Sequence, residues 1–224
     1  MIVGLIPARG GSKGIPKKNI SKLSDKTLIE IGIDKLLEAG CNAVYVSTED
    51  SEISEIALQS GAKLIFRPHE FATDESSTDD VIFHSIKYLE LKDKDLLVTH
   101  QITSPLIRTS SISSCIDALK DLQINSAISI LKEHPFIWQK EEENVWEPTN
   151  HSRQFRPRRQ DIGEAGIETG GVYVARVRSI LDQLTKFPKP TMCIPVRFIE
   201  ALDINSFFDL EDAKIVFNAD RNYN

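Results

Sequence analysis

Cysteine is scarce in this sequence. Its 224 residues include three, Cys41, Cys115 and Cys193, which are odd in number and widely spaced, and none belongs to a CxxC pair. We therefore expect them to behave as small buried hydrophobic residues in a reducing compartment.

Long hydrophobic runs are missing as well. The apolar stretch Ile2–Pro7 is too short for the hydrophobic part of a signal peptide, and it precedes the charged residues instead of following them. No apolar run approaches the roughly 20 residues that a membrane-spanning helix needs. These features predict a cytoplasmic protein with no membrane partner.

An excess of positive charge is also lacking. The chain has 27 Lys and Arg against 33 Asp and Glu, a formal net charge of −6, and its pI is near 5.5. This balance argues against a nucleic-acid partner, because binding to a phosphate backbone needs a basic face. Any chemistry on phosphates must therefore depend on local clusters of cations. The length fits one domain, residues 1–224, with a sizeable core.

Apolar runs and helical periodicity alternate along the chain. The predicted strands are Ile2–Pro7, Ala43–Ser47, Lys63–Phe66, Leu96–Thr99, Ala127–Leu131, Gly171–Val174 and Met192–Phe198. The predicted helices are Thr27–Ala39, Asp50 or Ser51 to Ser60, Asp79–Leu91, Ser111–Leu122, Arg178–Leu184 and Phe208–Asn218. This alternation predicts an α/β fold with a mostly parallel sheet covered by helices on both faces.

The alternation stops over Glu133–Gln160. This segment holds both tryptophans, three consecutive acidic residues and the arginine-rich string RQFRPRRQ, and we predict an irregular or antiparallel arm. Exposing Phe136, Trp138 and Trp146 together would be costly. Their contact is predicted to be either with their own domain or with a second subunit.

The loop after the first strand, LIPARGGSKGIPKKN, concentrates positive charge. Five cations precede the first acidic residue, Asp25: Arg9, Lys13, Lys17, Lys18 and Lys22. In an open parallel sheet, ligands bind beyond the carboxyl ends of the strands, and small residues such as Gly10 and Gly11 let backbone N–H groups approach an anion. The spacing matches neither GxxxxGK[ST] nor GxGxxG. The number of cations favours a triphosphate, and a solvated lysine-rich surface loop is the alternative.

The string IPARGGSKGIPKKN closely resembles the signature of the acylneuraminate cytidylyltransferases, the CMP-sialic acid synthetases and related CMP-nonulosonic acid synthetases. Further strings resemble segments of this family: VSTEDSEISEIA, FRPHEFATDESST, HQITSPLIR, RRQ, ETGGVYVAR and DINSFFDLEDA. The resemblance implies a Rossmann-like nucleotidyltransferase that is usually a homodimer, with the arm against the partner near its sugar site. The implied reaction transfers CMP from CTP to the anomeric hydroxyl of a nonulosonic sugar acid and releases pyrophosphate.

The resemblance also implies roles for individual residues. Those expected to bind the nucleotide are Ala8, Arg9, Gly10, Gly11, Ser12, Lys13, Lys18, Asn19, Arg67, Ser77 and Thr78. Those expected to bind the sugar acid are Gln101, Arg159, Thr169 and Tyr173, with Thr169 standing where the family has Asn. A guanidinium such as that of Arg159 can bind a carboxylate with two hydrogen bonds. Arg9, Lys18 and Asp203 are expected to act in catalysis.

The implied cofactor is Mg²⁺, which prefers carboxylate and phosphate oxygens. The family has Asp-x-Asp where this chain has Asp203-Ile204-Asn205. At alternating positions of a strand, Asp203 and Asn205 would face the same side and reach one ion. Asp209 is expected to cap the following helix or support the metal ligands.

Two further functions stay open from the sequence. The first is a cytidylyltransferase for another acid, such as a Kdo-like octulosonate or a phosphonate. The second is a nucleotide-binding module without turnover, for which the lost charge at Asn205 is the best support. No Ser-His-acid or Cys-His set is recognisable, and His100 is expected to be structural.

Overall fold

Strands and helices alternate along most of the chain. The computed structural model describes residues 1–12, 14–161 and 163–221, except for the side chains of residues 159, 220 and 221. The strands of this part are β1 (Ile2–Pro7), β2 (Lys22–Leu23), β3 (Lys26–Thr27), β4 (Ala43–Thr48), β5 (Lys63–Phe66), β6 (Leu96–His100), β7 (Ser126–Leu131), β8 (Trp138–Glu142), β9 (Val145–Pro148), β10 (Ile167–Arg176) and β11 (Thr191–Val196). Its α-helices are α1 (Leu28–Glu38), α2 (Ser51–Gln59), α3 (Thr78–Tyr88), α4 (Thr109–Ala118), α5 (Val177–Gln183) and α6 (Phe207–Arg221).

Seven strands form the central sheet in the order β11-β7-β10-β6-β1-β4-β5. All neighbours are parallel except β10, which runs antiparallel to both β6 and β7. The prediction of a mostly parallel sheet is confirmed. Because β1, β4 and β6 are parallel, their carboxyl ends lie at one edge of the sheet, where ligands of such folds bind.

Apolar side chains cover both faces of the sheet. Alternate residues of β1 point to opposite sides, so that Ile6 belongs to one core cluster and Val3 and Leu5 to the other. The first cluster includes residues of α1, α2, α4 and α6, and the second includes residues of α3 and α5. Helices therefore cover both faces, as predicted. None of the helices in the described residues has the length and apolar composition needed to cross a membrane.

Local capping signals set the starts of several helices. At α1 the Thr27 hydroxyl accepts the Glu30 N–H at 3.3 Å, and the Glu30 carboxylate accepts the Thr27 N–H at 2.7 Å. Asp50 caps α2 by accepting the Ile53 N–H at 2.9 Å. Such a cap is typically worth about 1 kcal/mol. These helices begin within a residue of the predicted positions because their caps are close in sequence.

Helix α4 differs from its prediction at both ends because distant residues cap it. At the start, the Glu200 carboxylate accepts the Arg108 N–H at 3.0 Å and the Ser111 hydroxyl at 2.6 Å. At the end, the Arg176 guanidinium donates to the carbonyls of Leu119 and Ile124 at 2.6 and 3.0 Å. The helix therefore covers Thr109–Ala118 and not Ser111–Leu122.

The segment predicted as an arm contains an antiparallel hairpin of β8 and β9, which confirms the antiparallel alternative. Trp138 and Trp146 are 45% and 50% exposed on it. Strand β11 ends at Val196, before a short 3₁₀ helix at Phe198–Ala201.

Candidate functional site

A cavity of about 340 Å³ lies beyond the carboxyl end of β1. It is lined by eight of the predicted site residues: Arg9, Ser12, Lys18, Asn19, Arg67, Ser77, Thr78 and Asn205. The loop after β1, the loop before α3 and the segment before α6 all contribute to its wall. We call this cavity the cleft. Three separate stretches of the sequence, each singled out by its motif, therefore meet at one place.

Arg9 connects two of these loops. Its Nη2 atom lies 2.9 Å from the Asp74 carboxylate, and Nη1 donates to the Thr73 carbonyl at 2.8 Å. Lys17 lies 2.5 Å from the Glu52 carboxylate on α2. Arg9 and Lys17 therefore have anionic partners within the protein, which the acid-free sequence around them does not reveal.

The glycines of the loop differ in their surroundings. The Gly10 N–H donates to the Glu49 carboxylate at 2.7 Å, and a Cβ at this residue would collide with Asp50. Gly11 has open space where a Cβ would be. Ala8 is fully buried, and its N–H continues the β1–β4 ladder by donating to the Ser47 carbonyl at 3.0 Å. Lys13 lies outside the described residues.

Lys18 and Asn19 anchor the loop from inside. The half-buried Lys18 Nζ donates to the Ile204 carbonyl at 2.8 Å. Burial lowers the pKa of Lys18, and the nearby Asp203 carboxylate opposes this shift. The buried Asn19 side chain donates to the Arg9 carbonyl at 2.8 Å. The Lys18 ammonium is thereby held against the segment that carries Asp203.

Arg67 forms the floor of the cleft. The guanidinium is 3% exposed and donates to the Ser47 carbonyl and hydroxyl at 2.6 and 3.2 Å. Burial lowers the pKa of Arg67 to about 10, and the negative charge of Glu49 opposes the shift. Ser77 also caps α3, since its hydroxyl accepts the Asp80 N–H at 3.1 Å. Thr78 begins that helix and lies in the cleft wall.

The predicted metal ligands lie in an irregular segment between the 3₁₀ helix and α6. The prediction that Asp203 and Asn205 occupy alternating strand positions is wrong, because β11 already ends at Val196. They are nevertheless adjacent: the Asn205 amide donates to Asp203 Oδ2 at 2.7 Å. The Oδ1 atom of Asp203 is buried and has no hydrogen-bond partner in the described residues. Asp209 accepts the backbone N–H groups of Asn205 and Ser206 at 3.0 and 2.7 Å, so it is a capping acid.

The predicted sugar-binding residues are dispersed. Gln101 Nε2 lies 3.4 Å from the hydroxyl of Thr78, which places it next to the cleft. Tyr173 is buried, and its hydroxyl donates to Glu168. Burial and that carboxylate raise the pKa of Tyr173.

The Thr169 hydroxyl forms its contacts with Ser129 and Gly171 inside the protein. It lies 2.6 Å from the hydroxyl of Ser129, 3.2 Å from the Ser129 carbonyl and 3.3 Å from the Gly171 N–H, and Thr169 does not line the cleft. The side chain of Arg159 lies outside the described residues. His100 is fully buried, and its Nδ1 atom is 2.6 Å from the Gly171 carbonyl, in agreement with a structural role.

Sequence reasoning missed three charged residues that lie next to predicted site residues. Glu49 accepts the Gly10 N–H, and its second oxygen is buried with no partner in the described part of the chain. Asp74 pairs with Arg9. The Nζ atom of Lys186 lies 4.9 Å from the centre of the Tyr173 ring and 3.8 Å from the Asp79 carboxylate. Glu49 lies in the string VSTEDSEISEIA and Asp74 in FRPHEFATDESST, and both strings resemble segments of the family. That resemblance could have pointed to these two residues. No feature of the sequence near Lys186 pointed to it.

The sequence of this chain is similar to those of known proteins. A family model described as Cytidylyltransferase matches residues 3–178. N-acylneuraminate cytidylyltransferase A of Danio rerio is 34% identical over 194 residues, which make up 85% of this chain and 45% of that protein. The N-acylneuraminate cytidylyltransferase of a Streptococcus agalactiae strain is 25% identical over 207 residues, or 90% of this chain and 50% of that protein. The chain thus spans about half the length of these curated relatives.

Two solved structures have the same fold. The structure of CMP:2-keto-3-deoxy-manno-octonic acid synthetase complexed with CTP matches with a TM-score of 0.71 and 17% identity, covering 98% of this chain and 99% of that one. The 4-diphosphocytidyl-2C-methyl-D-erythritol synthase from Anaerococcus prevotii matches with a TM-score of 0.66 and 12% identity, covering 97% and 98%. At these identities the likeness concerns the fold alone.

Proposed function

Because the chain belongs to the cytidylyltransferase family, we propose that it transfers CMP from CTP to the anomeric hydroxyl of a nonulosonic, sialic-acid-like sugar acid. The relatives named N-acylneuraminate cytidylyltransferases support this substrate class. The observation that carries the proposal is the meeting of Arg9, Lys18 and the Asp203–Asn205 segment around one cleft.

In the proposed reaction, the sugar hydroxyl oxygen attacks the α-phosphorus of CTP. The bond from this phosphorus to the oxygen bridging to the β-phosphorus breaks, pyrophosphate leaves with the electron pair, and the hydroxyl proton passes to water or to a phosphate oxygen. Such displacements depend on positioning and charge neutralisation more than on covalent help from the protein. Arg9 and Lys18 would bind the triphosphate and neutralise the charge that develops on the leaving group. Arg67 would face the cytosine, and Thr78 or Ser77 would contact the ribose.

Asp203 and Asn205 fit a Mg²⁺ site that the nucleotide completes. The buried Oδ1 atom of Asp203 has no partner in the described residues, and the Asn205 amide lies beside the same carboxylate. No cluster of three or more His, Cys, Asp or Glu suited to a metal occurs in that part of the chain. One carboxylate plus phosphate oxygens is a usual environment for Mg²⁺. When bound, Mg²⁺ would supply charge neutralisation at the phosphates.

The sugar acid would bind on the side of Gln101 and Tyr173. Gln101 is close to Thr78 and directly follows β6, and Tyr173 is on β10, the strand next to β6. Arg159 is our candidate for the carboxylate of the sugar acid. We further propose one domain over residues 1–224 whose arm, residues 133–160, joins two chains into a homodimer. The exposed Trp138 and Trp146 of the hairpin support that role.

An assay of pyrophosphate release tests the proposed activity. The purified protein is incubated with CTP, Mg²⁺ and one member of a panel of acids: sialic, legionaminic and pseudaminic acids, a Kdo-like octulosonate and a phosphonate. We expect release with CTP and a nonulosonic acid, and a CMP-sugar of the matching mass. If pyrophosphate is released only with the octulosonate or only with the phosphonate, that acid is the substrate and the proposed nonulosonic acid is not. CTP binding without release on any acid would instead favour a nucleotide-binding module.

Calorimetry with CTP tests the nucleotide site separately. Replacing both Arg9 and Lys18 with Gln removes two charge-assisted phosphate contacts, and we expect affinity to fall about 100-fold or more. The matched control replaces Lys22 and Lys120, two exposed lysines that do not line the cleft, with Gln. Equal affinity in all three proteins would refute the proposed triphosphate site.

A further inference from the structure

The contact between Arg9 and Asp74 joins the two loops that face each other across the cleft. Arg9 follows β1, and Asp74 lies between β5 and α3. Besides the 2.9 Å ion pair, Arg9 donates to the Thr73 carbonyl at 2.8 Å and has a longer contact of 3.5 Å with the Ala72 carbonyl. We call this set of contacts the clasp.

The clasp lies between two cavities. Arg9 and Thr73 line the cleft, and together with Asp74 they also line a second cavity of about 430 Å³. Ser12 lines both cavities as well. The Arg9 guanidinium therefore has the nucleotide cleft on one side, while its carboxylate partner belongs to the wall of the other cavity.

The clasp leaves part of the guanidinium available for a ligand. An arginine has five N–H donors in a planar fork, and the two short contacts of the clasp use one donor on Nη1 and one on Nη2. The remaining donors can bind phosphate oxygens while Asp74 stays in place. Binding of a triphosphate therefore does not require Arg9 to leave Asp74.

We propose that Asp74 is a positioning residue, which holds Arg9 in the orientation that binds the triphosphate. This inference rests on the proposed function. A free arginine loses rotamer entropy when it binds a ligand, and the clasp has already fixed this side chain. The negative charge of Asp74 also repels the triphosphate, but the carboxylate is half exposed, so that water and salt screen this effect.

A competing role for Asp74 predicts the opposite effect. If Asp74 only occupied Arg9 until a nucleotide displaced it, then removing the carboxylate would strengthen CTP binding. If it positions Arg9, removing the carboxylate weakens binding, and only while Arg9 is present. The direction of the change and its dependence on Arg9 therefore separate the two roles.

A double-mutant cycle measured by calorimetry with CTP tests this inference. The proteins are the wild type, Asp74→Asn, Arg9→Ala and the double variant. The matched control is Glu75→Gln, which removes the same charge from the neighbouring exposed residue. We expect Asp74→Asn to bind CTP about fivefold more weakly than Glu75→Gln, the effect of freeing one flexible side chain. In the Arg9→Ala background, Asp74→Asn should have no further effect on CTP affinity. With Arg9 present, Asp74→Glu should bind CTP more tightly than Asp74→Asn does, because it keeps the carboxylate.

Each other outcome counts against the inference in a distinct way. If Asp74→Asn binds CTP as tightly as Glu75→Gln, or more tightly, Asp74 does not position Arg9. If it weakens binding equally with and without Arg9, its role is structural. Should the wild type fail to bind CTP, or bind it equally well after Arg9→Ala, the proposed nucleotide site itself fails and the inference falls with it.

Discussion

The backbone of Gly14 lies directly against the carbonyl oxygen of Asn205. A Cβ on Gly14 would overlap with this oxygen. Close by, Lys18 Nζ donates to the Ile204 carbonyl at 2.8 Å. The proposed triphosphate loop and the proposed metal segment, which come from opposite ends of the chain, are thus in direct contact, and glycine permits that contact.

Gly14→Ala should therefore destabilise the protein. The backbone would have to move away from Asn205, and such overpacking typically costs about 1–3 kcal/mol. Gly11→Ala is the matched control, since a Cβ there has open space and its φ is not positive, so its effect should stay within about 0.5 kcal/mol. Urea unfolding of both variants measures the difference. Equal stability of the two would mean that the close approach at Gly14 carries no energetic weight.

Asn205→Asp should make the stability of the protein dependent on divalent cations. The Asn205 amide donates to Asp203 at 2.7 Å, so the substitution replaces a hydrogen bond with two adjacent carboxylates. Without a divalent cation we expect a loss of about 1 kcal/mol, or about 3 °C in Tm. Mg²⁺ should reverse this loss of stability. The Mg²⁺ concentration needed for half-maximal activity should be lower in Asn205→Asp than in the wild type.

Thermal unfolding with EDTA and with Mg²⁺, without substrates, tests this expectation. Asn205→Ala, which removes the amide without adding charge, is the control and should not gain a response to Mg²⁺. If Asn205→Asp responds to Mg²⁺ no more than the wild type and keeps the same requirement for activity, residue 205 is not a metal ligand.

His100 should make the protein less stable in mild acid. Burial lowers the pKa of this histidine to about 4 from an ordinary value of 6.5, although the bond to the Gly171 carbonyl opposes the shift. As the pH falls below 6.5, the unfolded chain therefore takes up this proton before the folded protein does. The contribution to stability is complete above about pH 6.5 and is lost as the pH falls toward 4. The loss between pH 7.5 and 5 should be about 2 kcal/mol.

Urea unfolding at pH 7.5 and pH 5 in the wild type and His100→Asn measures that loss. Other titrating groups contribute equally to both proteins. Between pH 7.5 and pH 5, the free energy of unfolding of His100→Asn should therefore fall by about 2 kcal/mol less than that of the wild type. His69→Asn, which replaces an exposed histidine, is the control and should behave as the wild type. A difference between wild type and His100→Asn that does not change with pH would contradict the prediction.

The hairpin of β8 and β9 should hold two chains together. Light scattering of the wild type at micromolar concentration should give twice the 25.2 kDa mass of one chain. Trp138→Asp places a charge on the exposed aromatic surface of the arm and should shift the mass to that of a monomer. Leu122→Asp adds the same charge at an apolar residue outside the arm, 84% exposed, and should remain dimeric. A monomeric wild type would refute the proposed dimer.

Elements with nearby caps were predictable, and elements with distant caps were not. Thr27 and Glu30 are three residues apart, so the sequence shows the start of α1 directly. The ends of α4 depend on Glu200 and Arg176, which approach it only in the folded chain. The strand predicted over Met192–Phe198 ends at Val196, where the Arg197 N–H donates to the Glu200 carboxylate at 3.2 Å and a 3₁₀ helix begins.

The sequence by itself determined the alternating fold, the family resemblance and the candidate residues for nucleotide binding. Apolar runs and small cationic loops carry that information locally. The tertiary structure decided which acids balance those cations, as Asp74 does for Arg9, and that Asp203 and Asn205 meet in a loop and not on a strand. It also decided that Thr169 is buried, with its hydroxyl 2.6 Å from that of Ser129. The physical reason is that hydrogen bonds and ion pairs between distant segments form only after the sheet has brought those segments together.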